Sequence, residues 1–374
     1  MFRVTEMFHP GIIPETEDAA LDWLRLIRSR RVGPSTFIRL LREHGDVAAA
    51  LAALPGIAAK AGVSGYRCVS RAEAEAEWQE ARAAGARPLF LGAPDYPPLL
   101  ALLPDPPPFL WAIGSPAVAA RSPIAIVGAR NASGLGRRMA RGLAADLGGA
   151  GHAIASGLAR GIDAAAHEAA LETGTVAVLA GGIDVIYPPE NAGLAAAIAE
   201  RGLILSEMPM ATPPKASLFL RRNRLVSGLS LGVVVIEAAE RSGAINTARA
   251  ALDQGREVMA VPGSPLDPRA GGCNALLREG ATLVRSAADV LEALDVPARP
   301  QPPIPPAEPE EPPAEDADLP LRLLALLGAA PLSEDSLIRE TGAGAAAVAA
   351  VLLDLEMAGR IERHPGGLVS RPAS

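Results

Sequence analysis

The sequence predicts an α/β protein built around a doubly wound, mostly parallel sheet. The apolar run at 124–127 suits a strand buried on both faces, and Met139, Leu143 and Leu147 recur behind it at helical spacing. Further strand-like segments alternate with helical patterns, which implies parallel strands joined by right-handed crossovers. These segments lie at 153–156, 176–180, 203–205, 233–237, 258–261 and 282–284.

Two regions precede this sheet. Residues 17–85 are rich in Ala, Leu and Arg and predict a small helical domain. Its turn at 32–34 is similar to that of helix-hairpin-helix units, and a packing module without DNA contacts is an equal alternative. Residues 86–123 are punctuated by proline, so we expect an ordered connector that lies over the sheet, anchored by the apolar run at 109–111. With this connector, the central domain is assigned to 86–296.

Two regions follow the sheet. Residues 297–320 contain ten prolines and six acidic side chains, which predict an extended linker because they cannot bury enough apolar surface to fold. Residues 321–374 show three helical patterns and a short hairpin with Gly366 and Gly367 at its turn, an order typical of a winged helix. The second and third of these helices are poor in Arg and Lys, which favours a protein-contact or regulatory module over duplex-DNA recognition.

The charge and the cysteines limit the class of protein. The formal net charge is −7, and the linker accounts for −5 with six acids against one arginine, so the rest of the chain is close to neutral and leaves room for a basic surface. The two cysteines, Cys68 and Cys273, are far apart and are not accompanied by other residues at metal-ligand spacing. This favours a reducing cytoplasm and predicts no metal site. No targeting signal or membrane-spanning stretch is visible, so we expect a cytoplasmic protein with no membrane partner.

The turn after the first strand suits the approach of an anion. Gly128, Gly134 and Gly136 let the backbone come close to a ligand, and the following helix start offers unpaired N–H groups. A dinucleotide site would need a glycine where Arg130 stands and an acidic residue after the second strand, which instead ends in Ser-Gly. The turn therefore predicts a phosphate bound by charge, in a nucleotide or a nucleic acid, and no nicotinamide cofactor. The competing interpretation is a glycine-rich turn that binds nothing.

Basic side chains follow several of the predicted strands. Because the carboxyl ends of parallel strands share one edge of a sheet, these loops should form one surface. Their cations would bind phosphates, and Phe219 is able to stack on a base. The cations are Arg130, Arg160, Lys215, Arg222 and Arg224, whereas Arg137, Arg138 and Arg141 are expected on a solvated helix face.

Seven motifs occur in order across 120–290. They are VGAR at 127–130, SGLARGIDAAAH at 156–167, GGIDVIYPPEN at 181–191, LSEMP at 205–209, RRNRLVSGLS at 221–230, VIEAAERSGAINTA at 235–248 and QGREVMAVPG at 254–263. In these motifs the sequence resembles the DNA processing protein A family (DprA, also called Smf). The resemblance implies an extended Rossmann-like domain that binds single-stranded DNA, forms a homodimer and helps to load the RecA recombinase during natural transformation.

The resemblance also implies a set of DNA-facing residues. Two positions depart from the family pattern: Lys215 precedes the Arg-Asn-Arg run by one residue more than usual, and Pro189 stands where a lysine can occur. No cofactor is implied. By motif position the DNA-facing set is Arg130, Ser133, Ser156, Gly157, Arg160, Lys215, Phe219, Asn223 and Arg224.

Catalysis is the main alternative to binding. No P-loop is present, because neither Lys60 nor Lys215 follows the required glycines. Asp163 and His167 stand four residues apart and could act as acid and base, but a helix cap and a packed imidazole are favoured. A nucleotide-hydrolysing enzyme of the lysine-decarboxylase-like or LOG type would need a P-G-G-x-G-T-x-x-E stretch, and 241–247 lacks its glycines and its glutamate. A purely structural role would leave the cations unexplained, so we expect a non-enzymatic single-stranded-DNA-binding protein that acts as a recombination mediator.

Overall fold

The structure is a computed structural model that describes residues 13–296, 318–328, 331–364 and 367–372. The chain divides into two compact units, Met1–Arg299 and Pro300–Ser374. Most of the expected linker, 297–317, lies outside the described residues, so its extended conformation stays a prediction.

A nine-stranded sheet forms the centre of the first unit, as far as the structure describes it. Its spatial order is β1-β2-β6-β5-β4-β3-β7-β8-β9; β1 and β2 pair antiparallel, β2 joins β6 antiparallel, and the other neighbours run parallel. This confirms the doubly wound, extended Rossmann-like sheet. The strands are β1 (Arg87–Phe90), β2 (Phe109–Gly114), β3 (Ile124–Gly128), β4 (Ile154–Ser156), β5 (Thr175–Val178), β6 (Leu203–Ser206), β7 (Gly232–Ile236), β8 (Glu257–Ala260) and β9 (Thr282–Leu283).

Helices precede the sheet and connect its strands. The N-terminal helices begin with side-chain caps, in which Thr16 accepts a backbone N–H before the first helix and Ser70 forms a capping box before the fourth. The first four are α1 (Glu17–Arg28), α2 (Pro34–His44), α3 (Val47–Lys60) and α4 (Arg71–Ala83). Those that follow are α5 (Gly134–Gly149), α6 (Ile162–Ala169), α7 (Ala192–Arg201), α8 (Ala216–Gly228), α9 (Gly243–Asp253), α10 (Gly271–Arg278) and α11 (Ala287–Ala293).

The central strands alternate between two apolar layers because successive side chains of a strand point to opposite faces. On β3, Ile124 and Ile126 belong to one buried cluster together with Leu143 of α5, while Ala125 and Val127 belong to the other. Both layers exclude water. A strand buried on both faces has no polar side, which explains the continuous apolar run in the sequence.

The order of the strands reverses at β3. From β3 the chain proceeds through β4 and β5 to β6 on one side, and it then returns to place β7 on the other side of β3. At such a switch point the crossover segments diverge and leave a crevice outside the carboxyl ends of the strands. The topology therefore positions a candidate site among the loops that follow β3, β4 and β7.

The proline-rich connector differs from the expectation that it only lies over the sheet. It adds two strands, β1 and β2, to the sheet. Phe109, Leu110 and Trp111 are buried as expected, but as part of β2. β1 accommodates Pro88 because it is an edge strand, where a missing N–H need not break a ladder. The prolines at 97–108 lie in the loop between the two strands and obscure their pattern.

The N-terminal helices share one hydrophobic cluster with the edge of the sheet. Trp23 of α1 packs against Phe37 and Phe90, with ring centroids 5.0 and 5.6 Å apart. Trp78 of α4 packs edge-on against Trp111 of β2 at 5.5 Å. These aromatic contacts hold the helices and the sheet together within one compact unit.

The second unit has the winged-helix fold that the sequence predicts. Leu323, Leu337, Leu352 and Val369 form its buried core, and Gly366 of the expected turn lies outside the described residues. No single described helix is long and apolar enough to cross a membrane, and only one sharply bent pair of helices in this unit meets that length and composition jointly. The elements are α12 (Leu319–Leu326), β10 (Leu332–Ser333), α13 (Glu334–Thr341), α14 (Ala345–Met357), β11 (Glu362–His364) and β12 (Leu368–Ser370).

Gly128, at the end of β3, tests how closely the switch point is packed. A Cβ at this position would overlap the carbonyl oxygen of Ile236 and lie 2.6 Å from Cγ1 of Ile162. Gly128→Ala should therefore lower the free energy of unfolding of the first unit by about 1–3 kcal/mol. Urea unfolding followed by tryptophan fluorescence measures this, because all three tryptophans lie in that unit.

Gly142→Ala provides the matched control. Gly142 lies on the exposed side of α5 with nothing within 4 Å of an added Cβ. This change should raise the free energy of unfolding by about 0.5–1 kcal/mol, because alanine loses less entropy in a helix. Equal unfolding midpoints for the two variants would contradict the close packing at β3.

Candidate nucleic-acid interface

A cleft of about 870 Å³ opens at the carboxyl ends of β3, β4 and β7. Its walls are the loop at 128–131, the loop at 157–159, one side of α8 and the start of α9. A recess of about 230 Å³ lies between Arg160, Tyr187 and Phe219, and it shares Arg130 and Gly157 with the cleft. The two form one continuous surface at the switch point of the sheet.

The start of α5, expected to receive an anion, holds a carboxylate from the chain itself. Glu237 follows β7, and its Oε2 accepts the backbone N–H of Ser133 at 2.8 Å while its Oε1 accepts the Ser133 hydroxyl. Oγ of Ser133 is also the N-cap acceptor for the N–H of Gly136 at 2.9 Å. The anion-binding character of this turn is therefore satisfied internally, and Ser133 uses its hydrogen bonds within the protein.

Arg222 of α8 is a buried cation in the inner wall of the cleft, with 6% of its surface exposed. Its Nη1 donates to the carbonyl oxygen of Val178 at 2.7 Å, and its guanidinium fills the space where a side chain at Gly157 would lie. Asp163 is an opposite buried charge that acts on Arg222 electrostatically, although the two form no direct ion pair. Burial raises the pKa of Asp163 and lowers the pKa of Arg222 to about 10, while each charge favours the ionised form of the other.

Asp163 and His167 both lie in α6, where they make structural contacts. Oδ2 of Asp163 accepts the N–H groups of Gly157 at 3.1 Å and Ala159 at 3.3 Å. The N-cap of α6 is Gly161, so the expectation that Asp163 caps this helix is wrong; it caps the preceding loop. His167 packs as expected: it is fully buried, its Nδ1 lies 2.6 Å from Oγ1 of Thr175, and burial lowers its pKa to about 3.

Ser156 and Gly157, two residues of the predicted set, follow each other at the end of β4. Ser156 is fully buried, and its hydroxyl donates to the carbonyl oxygen of Ile126 at 2.6 Å. Gly157 lines the cleft, but its N–H is bonded to Asp163. Both residues shape the loop after β4, and the Ser156 hydroxyl does not face a ligand.

Arg130 and Phe219 form the open wall of the cleft. Cζ of Arg130 lies 5.0 Å from the ring centroid of Phe219, and Cζ of Arg222 lies 5.9 Å from the same centroid. Tyr187 packs against this ring with centroids 5.8 Å apart. Arg130 is exposed and Phe219 is half-buried, so a cation and an aromatic ring reach the solvent together.

Arg160 and Lys215 extend the exposed cations around the cleft. The side chain of Arg160 is 60% exposed and pairs with Glu190, which raises the pKa of Arg160. Lys215 does not line the cleft itself but stands between Pro214 and Ala216, which do. It is exposed at the N-cap position of α8, and within the described residues it forms no ion pair. We call Arg130, Arg160, Lys215 and Phe219 the rim.

Helix α8 separates two residues that the sequence places on one surface. Asn223 lines the cleft, and its Nδ2 donates to the carbonyl oxygen of Gly243 at 3.2 Å. Arg224 lies outside the cleft lining, where it donates to Glu207 at 2.6 Å and to the carbonyl oxygen of Asp105 at 2.9 Å. Adjacent residues of a helix point about 100° apart, which explains the separation. Arg224 therefore lies outside the cleft, with its guanidinium bonded to Glu207 and Asp105.

The cleft also contains residues outside the predicted DNA-facing set. The sequence counts Arg222 among the cations near strand ends, and its helical spacing from Phe219 to Val226 indicates that it shares their side of α8. Tyr187 stands in the motif at 181–191, which gives a second usable signal. No pattern of this kind marks Asn131 and Arg269, which also line the cleft.

The energetic coupling between Arg222 and Asp163 in the inner wall can be measured with a double-mutant cycle. Arg222→Met removes the cation that favours the ionised form of Asp163 and the hydrogen bond to Val178, and leaving these buried groups uncompensated should cost about 1–3 kcal/mol or more. In the double variant Arg222→Met/Asp163→Asn the stranded charge is also removed, so the loss should be smaller than the sum of the single losses. Urea unfolding of the four proteins measures the coupling, and additivity within about 0.5 kcal/mol would contradict this electrostatic coupling.

Three segments of the chain match families of known domains. Residues 87–295 match the family described as DNA recombination-mediator protein A. Residues 17–80 match the DprA-like N-terminal HHH domain, and residues 306–367 match the DprA winged helix domain.

Curated relatives match over much of the chain. Protein Smf of Escherichia coli is 41% identical over 278 residues, which cover 73% of this chain and 74% of the relative. The DNA processing protein DprA of Bacillus subtilis is 42% identical over 216 residues, which cover 57% of this chain and 73% of the relative.

Solved structures agree with these matches. DprA from Streptococcus pneumoniae superimposes with a TM-score of 0.61 at 32% identity and covers 75% of this chain and 98% of its own. The DprA structure from Helicobacter pylori, which is described with a single-stranded DNA binding mode, gives a TM-score of 0.53 at 30% identity and covers 57% of this chain and 97% of its own. The chain belongs to the DNA recombination-mediator protein A family.

Proposed function

We propose that this protein binds single-stranded DNA in the cleft and, as a homodimer, helps to load RecA during natural transformation. The observation that carries the proposal is the contact between Arg130 and Phe219 at the open wall, flanked by Arg160 and Lys215. Single strands are bound by cations that follow the backbone and by aromatic rings on which bases stack. The rim supplies both kinds of group at one edge of the sheet.

The contact between Arg130 and Phe219 also favours a single strand over a duplex. A base must leave its helical stack to reach an aromatic face, and only an unpaired strand offers such bases without a cost of unpairing. Arg130 covers the ring of Phe219 in the free protein, so a base would replace this guanidinium, which then turns to a phosphate. Direct contacts by the Ser133 and Ser156 hydroxyls and by Arg224 are not part of the proposal.

Binding without catalysis is part of the proposal. Asp163 and His167, the two groups with acid–base potential, are engaged in hydrogen bonds with the loop after β4 and with Thr175. The glutamate near the first turn, Glu237, is held by Ser133. The nucleotide-hydrolysing alternative is not favoured, because 241–247 begins α9 without the required motif. Free cysteines at positions 68 and 273 support a cytoplasmic location.

The cations of the rim give the direct test. Arg130→Ala, Arg160→Ala and Lys215→Ala should each weaken binding of labelled oligonucleotides of every sequence. Each change should also lower the slope of log affinity against log salt concentration by about 0.7 per lost phosphate contact. Titrations with single-stranded and duplex oligonucleotides measure this, beside an assay for nucleotide hydrolysis. Turnover of a free nucleotide without strand binding would support the enzyme alternative.

Two further variants complete this test. Arg138→Ala removes an exposed cation from α5 outside the cleft lining and should change neither affinity nor salt slope. Phe219→Ala should cost about 1–3 kcal/mol of binding free energy for one base while the salt slope stays constant, because stacking releases no counterion. An Arg138→Ala effect as large as that of Arg130→Ala would contradict the assignment.

The winged-helix unit should be dispensable for strand binding. α14 carries no Arg or Lys, and Arg363 of β11 is paired with Glu334 and Glu356. Removing 297–374 should therefore change the affinity for single strands less than threefold, and the unit would act as a regulatory or protein-contact module. Fluorescence anisotropy compares the truncated and full chains, and a loss of most of the affinity would place the site elsewhere.

We expect the protein to self-associate through the first unit. Leu276, Leu277 and the largely apolar segment 281–284 lie near the end of the sheet, but Leu276 is buried in the core. The exposed part is Leu283, which is 47% exposed on the edge strand β9. An edge strand with an exposed apolar side chain suits an isologous contact. Sedimentation at micromolar concentration should show a dimer that Leu283→Arg converts to a monomer; a monomeric parent protein would contradict the proposal.

A further inference from the structure

A second concave site lies beside α8 in the first unit. Its volume is about 300 Å³, and it forms where the turn between α1 and α2 meets the loop before β2 and the segment that follows β6. We call it the α1–α2 cleft. Its lining comprises residues 27–34, 107–109, 207–209 and Arg221.

Two cations in this cleft are not compensated. Arg28 pairs with Glu77 at 2.9 Å, and Arg221 shares Glu207 with Arg224. Arg30 and Arg31 are exposed at the turn, and among the described residues neither forms an ion pair. The cleft therefore presents two guanidinium groups that no carboxylate among the described residues pairs with.

The α1–α2 cleft opens at the same edge of the sheet as the cleft at the ends of β3, β4 and β7, which we call the main cleft. The segment 207–209 follows β6 at its carboxyl end, the same edge of the sheet at which the main cleft opens. Between the two clefts stands α8, which presents Phe219 and Arg222 to the main cleft and Arg221 to the α1–α2 cleft. A helix with its side chains is about 10–12 Å across, a distance that a few nucleotides of an extended strand can cover.

We propose that a single strand held in the main cleft continues across α8 and that Arg30 and Arg31 bind its phosphodiester backbone. This second site rests on the proposed function of the rim. Guanidinium groups match the geometry of phosphate oxygens, and their charge remains available because it is unpaired. A strand already anchored at Phe219 reaches the α1–α2 cleft at high effective concentration, so two weakly binding cations add measurable affinity.

The test compares strand lengths with a variant of the turn. Oligothymidylates of about 4 and about 16 nucleotides span the range of single-strand sites. For the full-length Arg30→Ala/Arg31→Ala protein, binding of the short strand should equal that of the parent protein. Binding of the long strand should lose about 1.4 units of salt slope, which corresponds to about 25-fold in affinity at 0.1 M salt.

A matched control separates a local contact from a general loss of charge. Arg39→Ala/Arg67→Ala removes two exposed arginines from the same helical region, each paired with a glutamate and outside the α1–α2 cleft. It should leave the binding of both strands unchanged. Circular dichroism and short-strand binding together report that each variant is folded.

The outcomes distinguish this site from the rim. If the parent protein binds neither the short nor the long strand, the proposed function itself is wrong. If both strands bind and Arg30→Ala/Arg31→Ala weakens neither, or weakens both equally, the second site is wrong. A control variant as weak as Arg30→Ala/Arg31→Ala overturns it as well. The same proteins are titrated with polyglutamate, which represents an acidic protein surface. If Arg30→Ala/Arg31→Ala loses polyglutamate binding but keeps long-strand binding, the cleft binds an acidic protein and the second DNA site is wrong.

Discussion

The guanidinium of Arg222 links the elements that enclose the cleft. It bonds to the end of β5 through Val178, fills the space left by Gly157 after β4, and balances Asp163 of α6. A buried charge is tolerated only when hydrogen bonds and an opposite charge compensate it, so these elements must keep their relative positions. Phe219 belongs to the same helix as Arg222 and is held beside it. The order of the inner wall thereby fixes the aromatic ring that the solvent can reach.

Glu237 explains how a nucleotide-binding fold can serve another ligand. In an α/β sheet of this kind the first crossover helix offers its N-terminus to a phosphate. Here Ser133 binds the carboxylate of Glu237 at that place, so the helix start is already satisfied by an anion. Binding of an external phosphate is consequently left to exposed side chains. Arg130, Arg160 and Lys215 stand around the opening, where a polymer can pass without entering the fold.

The sequence predicts the parallel sheet closely because a parallel strand buried on both faces is a continuous apolar run in the sequence. The segments at 124–127, 233–237 and 258–261 each coincide with a strand to within one residue at either end. β1 and β2 escape prediction, because prolines surround them and their pairing is antiparallel and distant along the chain. Long-range pairing of this kind has no local signature.

The site is predicted less completely than the sheet, for a different reason. Motifs identify which residues lie near the cleft, but the side of a helix on which each residue lies decides its contacts. Arg224 and Asn223 are neighbours in one motif, yet only Asn223 lines the cleft. Ser133 and Ser156 are near the ligand surface and have their hydroxyls bonded to Glu237 and Ile126. Such internal partners depend on the fold and cannot be read from a motif.

The most direct test of this account is a crystal structure of the full chain with a short oligothymidylate. We expect one base to lie on the ring of Phe219 in place of Arg130, with phosphates bound by Arg130, Arg160 and Lys215 and with Glu237 still bonded to Ser133. A strand bound away from the rim, or a phosphate that displaces Glu237 from the start of α5, would contradict the account.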